Sequence, residues 1–372
     1  MSAHVPLARR ALFQDRRRAV LAAGGVAAAL LLVLVLQGIF DGAMRQVTAY
    51  VRAMPADVIV SQEDVRTMHM SNSTLDPRTP AEVARVPGVD WAEGIRYTTT
   101  FVVNDAGNQQ LSYVIGYDPS TGRGGPRRFS AGRAPGAREI TLEQIAANRL
   151  GVRLGDTLSV FNDHYRLVGI FHGGTTIVNS LAFITTDDFA AHRGDAVSYV
   201  LIGAKPGVSA QQLAARVAAA FPHDTVQTRA EFAHQEATLV RDMSADLMRI
   251  MSIVGLLIAL AVVALTLFSL TLAKLREHAI VKALGGRTRR SAAVVLTQAA
   301  WLVGVAVVSA TVIAIVLGRI VGALSPSIEV AIEPASVLRV ALSAGLIGGI
   351  GALIPLRRVA RVDPASAFRR QS

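Results

Sequence analysis

Apolar positions along this chain fall into two patterns. From Ala19 to Phe40, and in three further stretches after Ile250, they run almost uninterrupted, each close to the roughly 20 residues that cross a bilayer as a helix. Between the first and second of these runs they alternate. The segments "ADVIV", "TTTFVV", "LSYVIGY", "DTLSVF", "YRLVGIF" and "SLAFIT" read as short strands, punctuated by Asn-Asp, Gly-Asp and Asp-Pro turns. "TPAEVARV" (Thr79 to Val86) and "SAQQLAARVAAAF" (Ser209 to Phe221) interrupt them as helices; in the second, Leu213, Val217 and Phe221 recur four apart. The expected fold is an α-helical membrane protein with four transmembrane helices plus an α+β extracytoplasmic domain on helical stalks.

The stalks are read from the edges of that domain. After the first span, Phe40, Met44, Val47, Val51 and Met54 recur at spacings of four, three, four and three; before the second, Leu239, Met243, Leu247 and Ile250 do nearly the same. Phe232 lies seven before Leu239, but Glu236 stands between them and interrupts the stripe. Both are heptad-like seams continuous with a span, so each membrane helix is expected to run out of the bilayer as a stalk packed on its neighbour. The plainer alternative makes each stripe the buried face of a helix lying on the domain.

Composition agrees with a membrane protein: of 372 residues, 51% are hydrophobic and 17% charged. The net charge of +11 does not point to nucleic acid, because most of the basic clusters flank the spans. Arg9, Arg10 and Arg16 to Arg18 precede the first span; Lys274, Arg276, Lys282, Arg287, Arg289 and Arg290 fill the loop after the second; Arg357, Arg358, Arg361, Arg369 and Arg370 follow the fourth. By contrast, "LSPSIEVAIEP" carries only Glu329 and Glu333. The positive-inside rule then puts both termini and the Lys274 loop in the cytoplasm. The first run is too long for a signal-peptide core and lacks a cleavage site after it, so it is read as an anchor.

The expected segments are a cytoplasmic amphipathic segment at 1–18, span 1 at 19–40, the extracytoplasmic domain with its stalks at 41–246, span 2 at 247–273, a cytoplasmic coupling helix and loop at 274–291, span 3 at 292–323, a short outer loop at 324–335, span 4 at 336–356 and a cytoplasmic tail at 357–372. Gly318 with Gly322, and Gly345 with Gly349, would permit close helix packing within the chain or in a dimer. The centres of spans two to four hold no ionisable residue, which argues against a proton-coupled transporter. No cysteine is present, so a disulfide framework and thiolate chemistry are excluded. The Gly-rich pieces "STGRGGPRR" and "GIFHGGTT" lack the Lys-Ser/Thr of a P-loop, and no catalytic signature surrounds Asp163, His164 or His172. Met68, His69 and Met70 form the only soft-ligand cluster; it is read as packing, with no metal or cofactor expected on this chain.

"LREHAIVKALGG" stands out in the loop after span 2. Ala279, Ile280, Ala283 and Leu284 share one face of a short helix, Lys282 points away from it, and Gly285 and Gly286 offer a C-cap. With Arg276 and Glu277 before it, this segment resembles the cytoplasmic coupling segment of FtsX/MacB-like permeases of the ATP-binding cassette (ABC) systems. "GVRLGDTLSV…YRLVGIF" and the ending "IPLRRVARVDPASAFR" are similar to that family too, as is the order of one span, a large domain and three spans. The resemblance implies a permease subunit of the bacterial cytoplasmic (inner) membrane. ATP and magnesium would sit on a separate cytoplasmic ABC ATPase, docked through Arg276, Glu277, Ala279, Ile280, Lys282, Ala283, Leu284 and Gly285. It also implies a homodimer and an extracytoplasmic adaptor or substrate-binding partner, amid membrane lipid. The expected work is export or mechanotransmission; the alternative is a non-transporting component that regulates a cell-wall hydrolase or another outer partner.

Overall fold

The computed structural model describes residues 16–69, 71–173, 180–273, 288–325 and 328–360. Its backbone divides into two units, one of Gly42–Met243 with Ser325–Ile328, the other built from the segments on either side of these. Helix α1 (Arg16–Ala53) belongs to both and has no break between them. The same is true of α6 (Arg229–Ala273). At about 1.5 Å per residue these helices are roughly 57 and 68 Å long, well beyond the roughly 30 Å of a bilayer's hydrocarbon.

Among the described residues, the unit between the spans is built on ten strands: β1 (Val58–Gln62), β2 (Val89–Asn104), β3 (Gln109–Tyr117), β4 (Phe129–Gly132), β5 (Glu139–Glu143), β6 (Thr157–Val160), β7 (Asp163–Phe171), β8 (Ser180–Thr185), β9 (Tyr199–Ala204) and β10 (Asp224–Thr228). They pair in the order β10-β1-β9-β2-β3-β8-β5-β7-β4, with β6 bridging β2 and β7. Strand β2 joins the two halves of this sheet. Its start pairs antiparallel with β9 (Ile95 opposite Tyr199), and its continuation pairs antiparallel with β3 (Arg96 opposite Gly116).

Period-two alternation sorts the side chains into two layers. On one face, Ile59, Ile95, Tyr113, Ile115, Tyr117, Leu181, Phe183, Tyr199 and Leu201 form one core with Val51 of α1, Met54 just after it, and Phe232 and Ala233 of α6. On the other face, Val58, Val60, Val200 and Ile202 pack with Leu213 and Val217 of α5 (Ala210–Ala220), and with Val83 of α2 (Thr79–Val83). Val114, Ala182 and Ile184 meet Ala146 and Leu150 of α3 (Gln144–Leu150) and Phe189 of α4 (Thr186–Arg193). Local signals set the short helices. Ser209 and Gln212 close a capping box on α5, and Gly151, at φ 68°, ends α3 in the left-handed conformation that glycine adopts without strain.

The expected strands at "ADVIV", "TTTFVV", "LSYVIGY", "DTLSVF", "YRLVGIF" and "SLAFIT" coincide with β1, β2, β3, β6, β7 and β8. Four strands lay outside that pattern: β4, β5, β9 and β10. Strand β9 reads "YVLIGA" because it is buried on both faces, which erases alternation.

The second unit is helical. Among the described residues, four stretches are long and apolar enough to cross a membrane: Ala23–Ala53, Arg249–Thr266, Val295–Leu324 and Pro334–Leu353, carried by α1, α6, α7 (Thr288–Leu324) and α8 (Pro334–Ala360). Along α7 small residues lie inside and large ones outside, a pattern common where lipid replaces water. Ala306, Ala310 and Ala314 form a buried stripe along α7, whereas Val308, Val312, Leu342 and Leu346 are exposed. Close packing falls on Gly255, Gly348 and Gly351, where an added Cβ would meet Val33, Val303 and Val263 at 2.4, 2.8 and 3.2 Å. Of the four glycines named from sequence, only Gly318 has a neighbour that near, Val330 at 3.2 Å; Gly322, Gly345 and Gly349 face open space.

Candidate functional site

Two kinds of site were expected, a coupling segment and a pair of stalks. Arg276, Glu277, Ala279, Ile280, Lys282, Ala283, Leu284 and Gly285 lie outside the described residues, as does Met70. The structure therefore speaks to the stalks and to the place where they enter the α/β domain.

Along α1, Phe40 is half-buried, and Met44, Val47, Val51 and Met54 are buried. Val51 and Met54 reach the sheet core together with Phe232 of α6, while Val47 borders a small cavity that Glu236 of α6 also lines. The second stripe behaves differently. Leu239 is half-buried, Met243 is 64% exposed, and the side chain of Leu247 lies outside those described. Within the first turns of α6 the buried face is Phe232, Ala233, Glu236 and Ala237.

In the sequence, Glu236 interrupts an apolar seam. It is fully buried, because donors from the turn after β1 surround its carboxylate. One oxygen accepts from the Met68 N–H and, at 3.3 Å, from the His69 N–H; the other lies 2.5 Å from His69 Nδ1. A buried carboxylate survives only when it is paired and hydrogen-bonded in this way. Met68 and His69 of the soft-ligand cluster thus supply two backbone amides and an imidazole to a carboxylate. Among the described residues, no group of three or more His, Cys, Asp or Glu could hold a metal.

The far ends of the two long helices meet beside this site. Nη1 of Arg229, at the start of α6, donates to the carbonyl of Met54 at 2.8 Å and of Arg52 at 3.5 Å, at the end of α1. Its backbone N–H donates to Asp57 at 3.0 Å. A helix C-terminus leaves its last carbonyls unpaired and negative, and a guanidinium satisfies both deficits. Tyr50 adds a further tie, its hydroxyl donating to the Gly124 carbonyl at 2.7 Å. Arg229 and Tyr50 escaped the sequence reading, since their partners lie 175 and 74 residues away.

In the helical unit, Ser336 donates to Asp41 at 2.7 Å and accepts from Arg339 at 2.9 Å. This polar chain links α1 to the start of α8. The nearby Ala331 N–H donates to the Gly38 carbonyl at 2.8 Å.

The MacB-like periplasmic core domain family matches residues 19–220, and the FtsX-like permease C-terminal family matches residues 249–364. An uncharacterized ABC transporter permease of Mycobacterium tuberculosis is 26% identical over 358 residues, covering 95% of this chain and 96% of that protein. One of Mycobacterium bovis is 26% identical over 359 residues, with the same coverage of 95% and 96%. Among solved structures, the periplasmic region of MacB from Actinobacillus actinomycetemcomitans is 9% identical, with a TM-score of 0.39, over 50% of this chain and 94% of that one. The extracellular domain of the noncanonic ABC-type transporter YknZ from Gram-positive bacteria is 10% identical, with a TM-score of 0.36, over 46% and 98%.

Proposed function

The chain belongs to the family of MacB-like and FtsX-like ABC transporter permeases, and on that premise we propose that it is a mechanotransmitting exporter subunit whose long helices carry the work of a separate cytoplasmic ATPase to the extracytoplasmic domain. The observation that carries this reading is the continuity of α1 and α6 from an apolar span into the sheet core, with their far ends joined at Arg229. A helix without a break transmits displacement along its axis; a hinge between span and domain would absorb it. In this reading both termini and the Arg276 to Gly285 segment are cytoplasmic in the inner membrane, and ATP-driven closure of the ATPases moves that segment and α6 with it.

A homodimer fits the same picture. Met243, Ile250, Val254 and Leu257 recur at heptad spacing on α6, and each remains exposed in the single chain. An extracytoplasmic adaptor or substrate-binding partner would act on the α/β domain.

Two variants test the proposal in the full complex. Glu277→Lys reverses a charge in the coupling segment and should lower the amount of ATPase that co-purifies with the permease. Asp242→Pro, inside α6, should leave that amount unchanged, because proline at about 3 kcal/mol breaks the helix locally. It should abolish the ATP-dependent change in hydrogen exchange of the α/β domain. Full docking in Glu277→Lys would remove the segment's role, and an unaltered ATP response in Asp242→Pro would remove the lever.

A further inference from the structure

Neither the fold nor the family accounts for two open troughs that run side by side along α7 in the helical unit. The first, of about 540 Å³, lies between the helices, with Val303 and Val307 of α7 on one side and Ala341, Gly345 and Gly349 of α8 on the other. The second, of about 730 Å³, follows α7 past Thr297, Trp301 and Val305. They share one wall, the line of Leu296, Ala300, Gly304 and Val308, four residues apart. Glycine keeps the troughs open. A Cβ added at Gly304, Gly345 or Gly349 would meet nothing within 4 Å, whereas one at Gly348 would strike Val303 at 2.8 Å, where the two helices touch.

The length of the troughs limits what can lie in them. From Leu296 to Val308 the shared wall extends about 18 Å, close to the roughly 15 Å of hydrocarbon in one leaflet. A membrane helix from a second copy would need a close seam along its whole span. Beyond Val308, however, the same line continues as Val312, Val316 and Ile320, all exposed and bulky. Two parallel troughs one leaflet long match the two chains of a lipid better than one partner helix.

Charge then selects the headgroup. Arg289 and Arg290 stand in the first turn of α7, and Arg357 and Arg358 in the last turn of α8. The contact of Val303 with Gly348, and the short connection from Leu324 to Pro334, make the helices antiparallel neighbours, so these two ends adjoin. Neither helix carries an acidic residue anywhere along its length, and Arg357 is exposed. Basic clusters between membrane helices attract anionic headgroups. Gly349 and Arg357 are eight residues apart, about 12 Å along the helix, which sets the charge beyond the chains where the headgroup layer begins.

We propose that the α7–α8 face is a binding site for one anionic phospholipid, its two acyl chains in the troughs and its phosphate at the arginine-bearing ends of the two helices. This inference stands apart from the ATPase coupling proposed above.

Trp301 reports on the site directly, because it lines the second trough. The chain has two tryptophans, so in a Trp91→Phe background Trp301 emits alone. In phosphatidylcholine nanodiscs holding the full-length protein, phosphatidylglycerol brominated in its chains should quench this emission at a mole fraction about tenfold lower than brominated phosphatidylcholine requires. Arg357→Gln combined with Arg358→Gln should make the two lipids equal. Gly304→Leu narrows both troughs at their shared wall, and the open space at that position lets the helix accept it. It should remove the low-fraction quenching. Native mass spectrometry with both tryptophans present gives an independent count: one phosphatidylglycerol per chain should survive in the otherwise unaltered protein and be lost in Gly304→Leu. Equal quenching by the two lipids without any arginine change would overturn the site. So would loss of a dimer in Gly304→Leu with phosphatidylglycerol retained, which would give the troughs to a second copy.

Discussion

Gly203 shows how far one missing side chain can reach. It lies on β9 opposite Trp91, and a Cβ built there would sit 1.9 Å from the indole Nε1. The Arg123 guanidinium stacks over that indole, 4.3 Å from its centroid, so the glycine seats Trp91 and Trp91 seats the loop after β3. Gly203→Ala should displace the indole and lower stability by about 1–3 kcal/mol, the usual cost of overpacking. The chain has two tryptophans, so in a Trp301→Phe background Trp91 reports alone. Its emission should move to longer wavelength as the stack is lost; unchanged emission would contradict this seating. Such a contact gave no signal in the sequence, where "LIGAKPG" reads only as the end of a strand. The same blindness explains Glu236. A carboxylate in an apolar seam looks like a defect until its donors, 167 residues away, are seen.

At the scale of elements, long-range partners matter less and more was legible. Four spans, two helices and six strands followed from periodicity, because a membrane helix and a half-buried strand each impose their own repeat on local sequence. Strand β9, buried on both faces, and the short β4 and β10 impose none that differs from a loop or a core helix. Glycine spacing says less than it suggests for a related reason: small residues four apart mark a smooth helix face without saying what covers it. Gly255 is covered by Val33, whereas Gly345 has no neighbour within 4 Å of its would-be Cβ. Gly255→Val should therefore push the first two spans apart and destabilise the purified protein by about 1–3 kcal/mol, read as a lower thermal midpoint. Gly345→Val should leave that midpoint unchanged. Equal losses in the two variants would mean that Gly345 is covered as closely as Gly255. Loss of dimer in Gly345→Val alone, read by native mass spectrometry, would assign the α8 face to a second copy.

For the molecule as a whole, Arg229 is the joint on which the transmission reading bears hardest. The guanidinium takes carbonyls that the end of α1 leaves unpaired, and the backbone at the same residue bonds Asp57, which leads into β1. In the transmission reading proposed above, displacement arriving along either helix would be shared with the other and passed to the β1–β10 edge of the sheet, where Val58 pairs with Thr228. Arg229→Ala removes a charge-assisted bond and the charge at the end of α1, a loss of about 1–3 kcal/mol at the joint. The backbone bond to Asp57 remains, so the domain should still fold and the ATPase should still co-purify. What should disappear is correlation. In the wild-type complex, ATP binding by the partner should alter hydrogen exchange at the end of α1 and at the start of α6 together; in Arg229→Ala the α6 change should persist and the α1 change should fall away. Arg229→Lys should restore part of it, since an ammonium reaches one carbonyl but cannot fork to two. If both ends respond in Arg229→Ala as they do in the wild type, the helices move as one through their spans, and the joint only stabilises the fold.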